Sequence, residues 1–161
     1  MARILKVDPD GFARSWMESF DQRVRGESGP LEQTHHRLAA VQGVHPSLGA
    51  VQRAANVRME FARELLDSNT SVLSALDALR GAGVRLAVVS DTFDETPRLW
   101  PNTALAPRFE VAVFSCQEGA RKPDPRMYQI ALGRLESPAS RCASVGDGGS
   151  HELTGARATG L

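Results

Sequence analysis

The chain has 161 residues, of which 42% are hydrophobic, enough for one globular domain or a core with a small appendage. Nineteen basic and nineteen acidic residues cancel, so no net field favours nucleic acid or an anionic membrane. No apolar run approaches the length that spans a bilayer, and the N-terminal stretch lacks a signal-peptide body.

The first half reads as helical. Asp8 before Pro9 is a good N-cap, and Phe12, Trp16, Phe20 and Val24 recur every four residues along one helical face. Arg25-Gly26 ends that run. A second helix is expected over Leu31 to Gln42, with Gly43 at its C-cap. A third is expected from about Pro46 to Leu66, with Leu48, Val51, Ala55, Met59, Ala62 and Leu66 facing inward. Three helices without a strand make a helical appendage rather than a complete core.

From Ser71 the rhythm changes. Val72, Leu73, Leu76 and Leu79 form a helical face that Gly81 and Gly83 break, and Val84 to Val89 is a compact apolar strand. Pro97, Pro101 and Pro107 allow only short helical turns before a second strand, Glu110 to Ser115. Asp124 can cap a helix that carries Met127, Tyr128, Ile130, Ala131 and Leu135. Arg141 to Val145 reads as a third strand, and a last helix would start near His151. Strands alternating with helices across short loops predict a parallel α/β sheet. Cys116 and Cys142 form no metal-type pair and fit two buried thiols in a reducing cytoplasm.

In open α/β sheets ligands gather at the carboxyl ends of the strands. Ser90 ends the first apolar strand, where it could donate a hydrogen bond to a phosphate oxygen beside the backbone N–H groups of Asp91 and Thr92. Lys122, one of only two lysines, sits in an Arg-Lys-Pro-Asp loop and could set a compact positive charge on the same phosphate. Asp147, in Gly146-Asp-Gly-Gly149, could ligate Mg²⁺, with Glu152 as an outer-shell partner. Each part alone is also an ordinary turn; their order within one α/β unit gives them weight.

In this order, Ser90, Lys122 and Asp147 with Glu152 resemble the second, third and fourth motifs of the haloacid dehalogenase superfamily of hydrolases. The resemblance runs from about Ser71 to Leu161, and the preceding helices are similar to that family's small helical cap. It implies a Rossmann-like parallel sheet, here incomplete, with the cap over residues 1–68 and the partial core over 69–161. It also implies Mg²⁺-dependent hydrolysis of a small phosphorylated metabolite through an aspartyl-phosphate. Asp91 stands where the family often has asparagine and adds negative charge near the phosphate.

The first motif, an apolar strand ending in Asp-x-Asp, has only Asp8-Pro-Asp10 as a candidate. In one reading Asp8 is the nucleophile and Asp10 the general acid/base. In the other Asp8 merely caps the helix bearing Phe12 and Trp16. Capping fits better, because Arg3 and Lys6 interrupt what should be a doubly buried strand and Pro9 suits a first helical turn. The first strand would then lie before Met1, and a further strand is expected where the chain stops at Leu161. The alternative to a phosphatase is therefore a non-catalytic protein of the same fold. A Ser-His-Asp hydrolase lacks its Gly-x-Ser-x-Gly elbow, and His35, His36 and His45 have no metal-ligand spacing.

Overall fold

Asp8 accepts a hydrogen bond from the Gly11 backbone N–H at 2.7 Å, and Pro9 occupies the first helical position behind it. A cap of this kind stabilises a helix by about 1 kcal/mol. In the computed structural model, which describes residues 1–67 and 70–161, this starts helix α2 (Pro9–Glu18). A single turn, α1 (Ala2–Leu5), precedes it, so Ile4 to Val7 form no strand.

The run expected to continue to Val24 divides at Ser19, and α3 covers Phe20–Val24. The Ser19 hydroxyl donates to the Trp16 carbonyl at 3.0 Å, and Arg23 Nη2 donates to the same oxygen at 2.8 Å. Side chains that compete for helix carbonyls bend or end helices. Phe20 consequently leaves the Phe12 face and meets Phe93 edge-on, with ring centroids 5.4 Å apart.

Helix α4 (Leu31–Ala40) ends two residues before the expected Gln42, with Val41 rather than Gly43 as its C-cap; Gly43, at φ +70°, lies in the turn that follows. Helix α5 (Leu48–Leu66) is capped by Ser47 and buries Val51, Ala54, Ala55 and Ala62. Leu48, expected inward, is exposed because it occupies the first turn, before the buried face engages α1 and α4. Leu5, Val7, Phe12, Leu38, Ala39, Val51 and Ala54 form one apolar cluster among α1, α2, α4 and α5.

Helix α6 (Thr70–Gly81) forms as its periodicity predicts but buries none of its described residues. Two parallel strands follow, β1 (Ala87–Ser90) and β2 (Val111–Phe114), in register from Ala87↔Val111 to Ser90↔Phe114. Their connection contains α7 (Glu95–Leu99) and two short 3₁₀ turns, matching the proline-rich sequence. After β2 come α8 (Ser115–Glu118), α9 (Pro125–Arg134), which packs on both strands, and α10 (Glu152–Ala158). Val111, Val113, Met127, Tyr128, Ala131 and Ala156 are the centre of this second cluster.

The third expected strand does not form. Residues 142–147 join no ladder, and Val145 is 97% exposed. A parallel strand is held by hydrogen bonds to a neighbour, and the sheet consists of β1 and β2 alone among the described residues. The architecture is thus α/β with a two-stranded parallel sheet. The expected boundary at residues 68 and 69 lies outside the described residues. No helix among them is long and apolar enough to cross a membrane.

Candidate functional site

Ser90 ends β1 opposite Phe114 of β2, at the carboxyl edge of the sheet. It is half-buried, and its hydroxyl has no hydrogen-bond partner among the described residues. The edge is stapled just beyond it: fully buried Ser115 Oγ accepts from Thr92 N at 2.8 Å and donates to Thr92 O at 3.1 Å. Ser90 therefore stands on a fixed strand end with a free donor.

Asp91 does not crowd the site with an idle charge. Its Oδ1 accepts the backbone N–H of Lys122 at 2.9 Å, while its buried Oδ2 has no hydrogen-bond partner among the described residues. The bond fixes the Arg121–Asp124 loop against the end of β1. Asp124 then caps α9 through the Arg126 N–H, and the Arg126 guanidinium holds the Asp124 carboxyl below the usual range. The Lys122–Pro123 peptide bond is cis.

The Lys122 ammonium donates to Glu152 Oε2 at 2.6 Å, with side chains 15% and 13% exposed. Glu152 opens α10, and its Oε1 accepts from Gly148 N at 3.1 Å. Gly146 passes so close to that carboxylate that any Cβ would overlap it. Tyr128 donates its hydroxyl proton to the Glu152 carbonyl at 2.6 Å, anchoring α10 to α9. A continuous chain of contacts thus links Asp91, Lys122, Glu152 and the Gly148 turn.

Asp147 sits at the outer end of this chain. It is exposed, and its Oδ1 accepts from Gly149 N at 2.8 Å. No group of three His, Cys, Asp or Glu residues that could hold a metal occurs among the described residues. One exposed carboxylate, already turned toward its own loop, does not make an Mg²⁺ shell, which takes one or two carboxylates in near-octahedral geometry. The residues present therefore do not fit the ion as a complete site.

Asp8 and Asp10 lie elsewhere. Asp8 is engaged with Gly11 and with Gln42, whose Oε1 accepts its backbone N–H at 2.8 Å, and Asp10 occupies the first turn of α2. His36 and His45 are exposed, whereas His35 is fully buried against Phe12 and Trp16. Cys116 and Cys142 are half-buried rather than buried, and burial raises the Cys116 thiol to about 11. Sequence reasoning missed the anchoring roles of Asp91 and Ser115. Each depends on a contact across more than twenty residues, and neither residue type signals it locally.

Comparison with known proteins places these features in a lineage. The model of the haloacid dehalogenase-like hydrolases matches residues 6–160. The bovine haloacid dehalogenase-like hydrolase domain-containing protein 3 is 29% identical over 81% of this chain and 51% of its own length. A Thermus thermophilus phosphoserine phosphatase is 28% identical over 70% of this chain and 47% of its own length. Mouse acyl-CoA dehydrogenase family member 10 is 35% identical over 48% of this chain and 7% of its own length. The chain spans about half the length, or less, of these curated relatives. With a family model matched across nearly all of its residues, the chain belongs to the haloacid dehalogenase-like hydrolases.

Proposed function

We propose that the carboxyl edge of the sheet binds the phosphate of a small phosphorylated metabolite, with Ser90 as hydroxyl donor and Lys122 as counter-charge. The observation that carries this is the Asp91 bond to Lys122 N, which ties the lysine loop to the strand end that presents the free Ser90 hydroxyl. A bound phosphate would compete with Glu152 for the ammonium, and the flexible lysine stem allows it to serve both. The family, together with a relative named as a phosphoserine phosphatase, supports hydrolysis of a phosphate ester as the activity. In this proposal residues 1–68 form the cap and 69–161 the core.

Mg²⁺ dependence belongs to the same proposal, with Asp147 as this chain's contribution to a shell that the described residues alone do not complete. Phosphate release from a panel of phosphate monoesters, with and without Mg²⁺, tests it. Mg²⁺-dependent turnover that disappears in Lys122→Met and in Asp147→Asn supports a phosphatase. Turnover indifferent to both the metal and Asp147→Asn sinks it.

A second reading, a non-catalytic phosphate-binding protein, is favoured by one specific observation. Asp8, the candidate nucleophile, is a helix cap. Saturable binding of inorganic phosphate without turnover would support this reading. Mg²⁺-dependent turnover lost specifically in Asp8→Asn would overturn it.

A further inference from the structure

Helix α5 turns mostly small residues inward and leaves larger apolar ones outside. Ala50, Val51, Ala54, Ala55 and Ala62 are buried, while Val57, Phe61 and Leu65 are 48%, 50% and 68% exposed. These three recur every four residues, so they form one stripe along the helix. Single exposed apolar side chains are ordinary on a protein surface, whereas a contiguous row of them marks an interaction site.

The middle of the stripe is held in place. Arg58 is ion-paired with buried Glu95 of α7, and its guanidinium carbon lies 5.3 Å from the Phe61 ring centroid and 5.5 Å from that of Trp16. Phe61 thus rests on a fixed cation, and it has little side-chain freedom left to lose when a partner covers it.

The charges beside the stripe select the partner. Arg53 and Glu64 are exposed, and neither has an ion-pair partner among the described residues. They stand about three helical turns apart and therefore on the same flank of α5. Arg53 lies four residues before Val57, and Glu64 lies three after Phe61. A two-fold axis midway between Val57 and Phe61 sets a second α5 antiparallel to the first, with Val57 opposite Phe61. Arg53 of each copy then faces Glu64 of the other, the two being level to within about 1.5 Å along the helix. A parallel pair would instead set Arg53 against Arg53 and Glu64 against Glu64.

We propose that two copies of this chain associate through α5, packed antiparallel about that axis and held by the Val57–Phe61–Leu65 stripe and two Arg53–Glu64 pairs. One short stripe makes a small interface of the transient kind, so dissociation is expected at micromolar concentrations.

Sedimentation of the full chain over a concentration series at low ionic strength tests this. Wild type should pass from monomer to dimer, and Phe61→Ser and Leu65→Ser should each weaken the dimer about tenfold. Circular dichroism checks folding; Leu65→Ser keeps the test sound if Phe61→Ser disturbs the Arg58 contact. Arg53→Glu or Glu64→Arg alone places like charges together twice in each dimer and should also weaken it about tenfold. The double variant Arg53→Glu/Glu64→Arg exchanges the signs and should return to within about twofold of wild type. A chain that stays monomeric at about 1 mM would overturn the proposal and leave the stripe to a further segment of a longer chain or to an unlike protein. A dimer that Leu65→Ser leaves intact would overturn it too, because another surface would then form the contact. So would single charge variants that dimerise like wild type, or a double variant that is not restored, because the antiparallel register would then be wrong.

Discussion

Asp91 Oδ1 and the backbone N–H of Lys122, 2.9 Å apart, make the end of β1 and the lysine loop one rigid piece. The carboxylate has two opposed effects here. It orders the loop as an acceptor, and it repels a phosphate as a charge. Substitution separates them: Asp91→Asn keeps an acceptor and drops the charge, whereas Asp91→Ala drops both. Affinity for inorganic phosphate, measured by titration calorimetry, is expected to be highest in Asp91→Asn, then wild type, then Asp91→Ala. Asp91→Ala should also lose about 1–3 kcal/mol of stability by stranding the Lys122 N–H. An alanine variant that binds phosphate as well as the asparagine one would show that only the charge matters.

The Lys122–Glu152 pair sets stability against ligand affinity. Removing one member of a largely buried pair leaves the other without its counter-charge, at a cost of about 1–3 kcal/mol. Glu152→Gln should therefore melt earlier than wild type in phosphate-free buffer. The same change frees the ammonium, so added phosphate should raise the melting temperature of Glu152→Gln more than that of wild type. Lys122→Met should show no phosphate-dependent shift at all. Equal shifts in the three proteins would remove Lys122 from the phosphate grip.

His35 should make stability pH-dependent. The ring is fully buried, neither nitrogen has a hydrogen-bond partner among the described residues, and burial lowers its pKa to about 4. Glu32 opposes the shift, while Arg23, Arg58 and the N-terminus add to it. Because the folded value lies below the unfolded value of about 6.5, the unfolded chain takes up the proton first as pH falls. Its full contribution is present above about pH 6.5 and is lost as pH falls towards about 4, roughly 2 kcal/mol being gone at pH 5. His35→Leu, which needs no proton, should lose about that much less than wild type between pH 7 and pH 5 in urea titrations. Parallel losses would show that the ring is solvated in the native state.

Local signals were legible where one short segment decided the structure. Asp8-Pro9 and Asp124-Pro125 capped helices as read, and the apolar runs around Val89 and Val113 paired in parallel. The misreadings share a different cause. Arg141 to Val145 has strand composition, but a strand exists only against a partner, and no described strand offers one. Phe20 fits the helical period, yet Arg23 and Ser19 claim the Trp16 carbonyl and turn it away. At the candidate site, Ser90, Lys122 and Glu152 could be singled out by position in their motifs. The Asp91 anchor could not, because it arises from a contact between segments 31 residues apart.

Gly155 tests how closely α10 supports the lysine loop. An exposed interior helix glycine is ordinarily improved by alanine, by up to about 1 kcal/mol. At Gly155 a Cβ would overlap the Pro123 carbonyl oxygen and lie 2.8 Å from the Tyr128 ring. Gly155→Ala must therefore push α10 away from the Pro123–Asp124 peptide of the lysine loop, straining the Glu152 contact and the Tyr128 hydrogen bond together. It should cost about 1–3 kcal/mol in urea denaturation, the range for overpacking, and weaken phosphate binding. Gly133→Ala in α9 is the matched control, since its Cβ would meet nothing within 4 Å. It should leave phosphate affinity unchanged and raise stability slightly. If Gly155→Ala proves as stable as Gly133→Ala, α10 does not press on the Lys122 loop, and the link from Glu152 to the lysine is not held by helix packing.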